Sequence, residues 1–125
     1  MKKQIIQEQL KNSPKIAYYF ETNKLEIVGR LIPENPEPIF KRIEDWIKLH
    51  LKNHDGLNIL IQLEYLNSSS SEYLFGILTL LTFYKNGGKD IEITWQYEED
   101  DESMYELGEY YRDYVGVPLK IESVL

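Results

Sequence analysis

Cysteine is absent from the 125 residues, so the chain can build no disulfide, thiolate nucleophile, zinc ribbon or Cys-ligated iron–sulfur cluster, an absence that suits a reducing cytosol. Long apolar runs are missing too. The longest, Tyr73 to Tyr84, is broken by Gly76, Thr79 and Thr82 and falls well short of the about 20 residues of a bilayer span. The first 30 residues hold no apolar segment of signal-peptide type, so the expectation is a soluble, cytoplasmic protein without membrane insertion. Basic residues are scarce where a nucleic-acid surface would need them. Residues 1–62 carry ten basic and eight acidic side chains, whereas residues 63–125 carry four basic and thirteen acidic ones. Phosphate backbones demand clustered Lys and Arg, so nucleic acid is excluded as a partner and a basic protein is favoured.

Catalytic and metal signatures are equally thin. The only two histidines, His50 and His54, have the i,i+4 spacing of a helical metal pair but lack the glutamate of a metalloprotease motif. A packed His50 and a His54 at a helix end account for them more simply. No G-x-S-x-G elbow surrounds the serines, and Glu98-Glu99-Asp100-Asp101-Glu102 lacks the alternating ligands and central glycine of a calcium loop. The expectation is a protein that is not an enzyme, with no cofactor and no metal. The acidic run reads either as a solvated turn opening a helix or as a docking surface.

What is present is an alternation of strands and helices. Ile16–Phe20 and Lys24–Val28 flank Glu21-Thr22-Asn23 as a β-hairpin. Pro33, Pro36 and Pro38 give an extended connection, with Pro38 suited to the first turn of a helix. Ile39, Ile43, Trp46, Ile47, His50 and Leu51 mark one face of that helix. Leu57–Leu66 is a central strand, Glu72–Asn86 a helix apolar on nearly every side and thus expected against a sheet, and Ile91–Tyr97 a half-buried strand. Met104, Leu107, Gly108, Tyr111 and Val115 line a third helix, and Leu119–Val124 closes the chain as a strand. The fold class is therefore α/β: one domain over residues 13–125 with a mixed, largely parallel β-sheet, an antiparallel edge hairpin and three helices. Residues 1–12 are a tail or an extra edge strand. Of the ten tyrosines, Tyr65, Tyr97 and Tyr111 fit strand and core packing, while Tyr105, Tyr110 and Tyr114 are open to an interface.

Four serines follow Asn67 where the central strand gives way to a helix. A helix N-terminus exposes unpaired N–H groups and positive potential that welcome an anion. Ser69 stands three residues before Glu72 in the S-x-x-E pattern of a capping box, which nominates Ser69 as the N-cap and leaves Ser68 with a free hydroxyl. Helix capping alone is the simplest use of such a run.

Leu63-Glu64-Tyr65-Leu66-Asn67-Ser68-Ser69-Ser70 followed by an apolar helix resembles the signature of the SiaC family of bacterial regulatory phosphoproteins. Gly29-Arg30-Leu31-Ile32-Pro33-Glu34-Asn35 ahead of the Trp46 helix resembles the family's first conserved block. Trp95-Gln96-Tyr97-Glu98-Glu99-Asp100-Asp101 with Met104-Tyr105-Glu106-Leu107-Gly108 resembles its acidic block, so the likeness runs in order over residues 13–122. The resemblance implies a small fold similar to STAS-type anti-sigma-factor antagonists and the role of a switch in a partner-switching pathway. It implies a serine kinase and a PP2C-type phosphatase acting on Ser68, with Ser69 and Ser70 as neighbouring alternatives. It further implies that the unphosphorylated form engages a downstream effector such as a diguanylate cyclase, in cyclic-di-GMP and biofilm signalling. Tyr65, Asn67, Ser68, Ser69 and Ser70 would form the partner-binding segment. The alternative is a constitutive interaction or oligomerisation module that carries the same fold without a switch.

Overall fold

The computed structural model describes residues 2–125. Six strands form one sheet in sequence order: β1 (Lys3–Gln7), β2 (Lys15–Tyr19), β3 (Lys24–Leu31), β4 (Gly56–Leu66), β5 (Asp90–Glu98) and β6 (Leu119–Val124). β1, β2 and β3 pair antiparallel, and β3 to β6 run parallel. The parallel strands are joined by α1 (Glu37–Asn53), α2 (Ser68–Asn86) and α3 (Glu102–Glu109), the last continuing into a π-helical segment, Tyr110–Val115. The mixed α/β architecture expected from the sequence is thus the one found, and the N-terminal residues form an edge strand.

Period-two patterning sets the layers. In β4, Leu57, Ile59, Ile61 and Leu63 are buried while Asn58, Leu60 and Gln62 alternate with them as half-exposed residues, and β3 and β5 show the same alternation. One sheet face therefore carries the core, and the other faces water with polar side chains. Over the buried face α1 lays Ile39, Phe40, Ile43, Ile47, His50 and Leu51, and α2 lays Leu74, Ile77, Leu78 and Leu81. Trp95 on β5 is the largest fully buried side chain; its indole N–H donates to the Met104 carbonyl at 2.9 Å. α3 crosses it at Gly108, where a Cβ would lie 2.7 Å from the indole ring, so this approach requires glycine.

Two expectations need correction here. α2 is apolar all round, yet the sheet covers only one side of it, and Tyr73 and Phe83 stand exposed on the other. Val115, expected inside, is exposed. The π-helical turn after Glu109 shifts the residues beyond it around the axis, so the spacing that buries Met104, Gly108 and Tyr111 no longer carries Val115 inward.

Candidate functional site

The junction between β4 and α2 is organised by Asn67. Its backbone N–H donates to the Leu31 carbonyl at 3.3 Å and its side-chain amide donates to the Pro33 carbonyl at 3.1 Å, tying the strand end to the loop after β3. Its Oδ1 accepts from the Ser70 N–H at 3.0 Å, which makes Asn67 the N-cap of α2. The expected Ser69 cap is therefore not used. Asparagine ranks with the best N-caps, and its extended backbone already reaches the β3 loop, so the helix begins at Ser68 rather than at Glu72.

The four serines consequently differ. Ser68 and Ser69 are exposed in the first turn, where N–H groups and the positive end of the helix dipole face outward. Ser70 is completely buried, and its hydroxyl meets no hydrogen-bond partner among the described residues. The Ser71 hydroxyl donates back to the Ser68 carbonyl at 3.0 Å. The Ser71 carbonyl in turn accepts from the Tyr111 hydroxyl at 3.3 Å, which fastens the head of α2 to the π-helical segment. Burial pushes the Tyr111 phenol up to about 12, so it stays protonated as this donor.

Tyr65 lies beside this junction rather than in the packing expected of it. β3 and β4 slip by one residue between Gly29 and Arg30, so that Arg30 pairs with Tyr65 and Glu64 is the extra residue. Gly29, at a φ of 129°, adopts a backbone conformation open to glycine. The bulge breaks the inward series that ends at Leu63, and Tyr65 is 52% exposed. The Arg30 guanidinium stacks 4.6 Å from the Tyr65 ring centroid and approaches Glu64 at 3.9 Å. Arg30 is a site residue that sequence reasoning missed, because only the register shift brings it to the end of β4.

The acidic run comes to the other side of Tyr65. A cleft of about 600 Å³ is lined by Glu64, Tyr65, Leu66, Glu98, Asp100 and Asp101 at its strand-end side. Asp101 has a structural duty in it, since its carboxylate accepts from the Met104 N–H at 3.2 Å as the N-cap of α3. Glu99 and Glu102 are exposed, and among the described residues no group of three or more His, Asp or Glu side chains is placed to hold a metal ion.

The histidines lie far down α1, at the opposite end of β4. His50 is buried between the Trp46 and His54 rings, at centroid distances of 4.7 and 4.1 Å. Its Nε2–H donates to the Asn23 Oδ1 at 2.9 Å, and His54 Nδ1–H donates to the His50 carbonyl at 3.0 Å. Burial, seconded by the neighbouring His54, holds the His50 imidazole below its ordinary pKa. The rings stack face to face instead of converging on a point, and neither approaches the serines.

A family model described as SiaC family regulatory phosphoprotein matches residues 7–124. An uncharacterised protein of Pseudomonas aeruginosa (strain UCBPP-PA14) is 29% identical over 113 residues, 90% of each chain. The structure of SiaC of Pseudomonas aeruginosa superimposes with a TM-score of 0.85 at 26% identity, over 99% of this chain and 100% of that one. A chain in the crystal structure of the diguanylate cyclase SiaD in complex with its activator SiaC, from the same organism, matches with a TM-score of 0.84 at 28% identity, over 93% of this chain and 96% of that one.

Proposed function

The chain belongs to the SiaC family of regulatory phosphoproteins, and on that premise we propose that it is a phosphorylation-controlled switch whose Ser68 governs docking onto a diguanylate cyclase. In this reading it is a cytoplasmic regulator and not a catalyst. A serine kinase modifies Ser68, a PP2C-type phosphatase restores it, and the unmodified form activates the cyclase, in cyclic-di-GMP and biofilm signalling. A likeness to SiaC, the activator of SiaD, supports the cyclase as effector.

The observation that carries the assignment of Ser68 is the Asn67 cap. Because Asn67 satisfies the Ser70 N–H, neither Ser68 nor Ser69 is consumed in capping, and both are exposed. Ser70 is unsuited as acceptor because no kinase reaches a hydroxyl with no accessible surface. Between the two exposed serines, Ser68 is the one that directly follows Asn67, at the very start of α2, and it is the position that the family resemblance selects. A phosphoryl group adds about −1.5 to −2 charges at pH 7, which the helix N-terminus tolerates locally. A partner that closes over the unmodified Tyr65–Ser69 segment would then have to strip water from a dianion, and docking weakens.

Calorimetric titration of the cyclase from the same cells tests this. Ser68→Ala should bind as the unmodified protein does, whereas Ser68→Asp and the kinase-treated protein should bind at least tenfold more weakly. Equal binding by all three would replace the switch with a constitutive interaction module.

A further inference from the structure

Between α1 and α2, on the side of α2 that the sheet does not cover, runs a groove of about 720 Å³. Its floor is Phe40 and Ile77, both buried, and its walls are Leu80 and the exposed Phe83. Tyr73 closes one end by stacking on Phe40 at 5.5 Å, about a turn and a half along α2 from Ser68. Phe83 meets the Tyr84 ring edge-on at 5.9 Å and is still 71% exposed, a large apolar surface left to solvent.

Gly76 supplies an independent observation. It sits in the middle of α2 facing this groove, where glycine is the poorest helix former after proline. It has no positive φ, and a Cβ there would meet nothing within 4 Å, so nothing inside the molecule requires glycine. Its missing side chain leaves this stretch of the groove bare, so that another backbone can approach α2 closely there. From Glu72 to Phe83 the groove follows α2 for about 16 Å, the length of three helical turns.

Charge decides between occupants. Glu37, Glu44 and Glu72 rim the groove with Lys41; Lys41 is engaged by Asp45 at 3.1 Å and Glu44 by Lys48 at 2.8 Å, which leaves Glu37 and Glu72 as its unneutralised charges. Among the described residues neither Glu37 nor Glu72 forms an ion pair. A second copy of this chain, with a net charge of −7, would bring acidic rim against acidic rim. We propose that the α1–α2 groove receives an amphipathic helix of the effector, its apolar face seated over Gly76, Leu80 and Phe83 and Lys or Arg along its flanks facing Glu37 and Glu72. The identity of that helix as part of the effector rests on the function proposed above.

Two titrations test it with the ¹⁵N-labelled full chain. The first uses a 14-residue Leu/Lys amphipathic helical peptide and its Leu/Glu counterpart as probes. Amide shifts confined to the Gly76, Thr79, Leu80 and Phe83 region, with the Leu/Lys peptide bound at least tenfold more tightly, are expected. Shifts centred on Glu98–Glu102, or equal affinity for the two peptides, overturn the groove. The second uses the Gly76→Trp variant, whose bulk fills the groove from a position with open space around it, together with Gly76→Ala. Gly76→Ala should melt no lower than the parent protein, and Gly76→Trp should lose at least tenfold in affinity for both the Leu/Lys peptide and the cyclase. If Gly76→Trp binds the cyclase as tightly as the parent while Ser68→Asp does not, the groove falls and the switch stands. If the parent protein ignores the cyclase, the proposed function falls and the peptide titration alone decides the groove.

Discussion

Two asparagines hold the two ends of β4, and they are used in opposite ways. At the start of the strand, Asn23 sits in the β2–β3 turn at a φ of 50°, in a left-handed conformation that asparagine tolerates. Its Oδ1 accepts from the Tyr18 hydroxyl at 2.7 Å and from His50, its amide donates to the Gly56 carbonyl at 2.9 Å, and its carbonyl accepts from the Asn58 N–H at 2.9 Å. Every polar group there has a partner, and stacked rings of Trp46, His50 and His54 pack beside it. At the far end, Asn67 makes a comparable set of bonds but leaves Ser68 and Ser69 in water and the Ser70 hydroxyl buried without a partner. A closed junction fixes the turn, α1 and β4 together, whereas the open one keeps a helix N-terminus available. Side chains of the same type serve as a rivet at one end and as the frame of an accessible site at the other.

Breaking the closed end should cost most. Asn23→Ala strands the Tyr18 and His50 donors and leaves alanine at positive φ, so chemical denaturation should show a loss of about 2–3 kcal/mol. Asn67→Ala removes one N-cap and should cost about 1 kcal/mol in the same measurement, with hydrogen exchange quickened chiefly in the first turn of α2. Ser70→Ala removes a buried hydroxyl that has no bond to lose and should raise stability by about 0.5–1 kcal/mol, the reverse of the Asn67 effect one turn away.

Acid should also separate the two ends. His50 is held below its ordinary pKa in the folded protein, so the unfolded chain takes up a proton first as the pH falls through about 6.5. The stabilisation is fully present above that pH and is lost below it. Melting temperatures recorded from pH 7.5 down to 5 should therefore decline, with a shallower decline in His50→Gln. The smallest effect belongs to the open end: Ser68→Ala should leave stability within about 0.5 kcal/mol of the parent, because an exposed hydroxyl outside the cap contributes little.

The sheet and its three crossover helices were legible because their signals are local: alternation in Ile91–Tyr97, a helical face from Ile39 to Leu51, prolines between. The features that shape the site were not, and each for a physical reason. The S-x-x-E pattern at Ser69 and Glu72 competes with Asn67, and only the approach of Leu31 and Pro33 decides in favour of the asparagine. Tyr65 continues the inward series of β4 until the register slip at Glu64 turns it out, and the mark of that slip in the sequence is a lone glycine, Gly29, on the neighbouring strand, which does not say which residue of β4 is the extra one. The outer face of α2 carries Tyr73, Phe75 and Phe83 among its polar residues, so periodicity marks weakly which side meets the sheet and which side is left for something else.

The Asn67 cap leaves Ser68 and Ser69 free, and the proposed switch puts its phosphate on Ser68. Glutamyl endopeptidase cleavage after Glu64 and Glu72 of protein taken from its native cells releases the peptide Tyr65–Glu72, on which fragment-ion mass spectrometry can place a phosphate. A phosphate on Ser68 that disappears when the phosphatase is active is the predicted result. A phosphate on Ser69 or Ser70, or an unmodified peptide while the kinase is active, would contradict it.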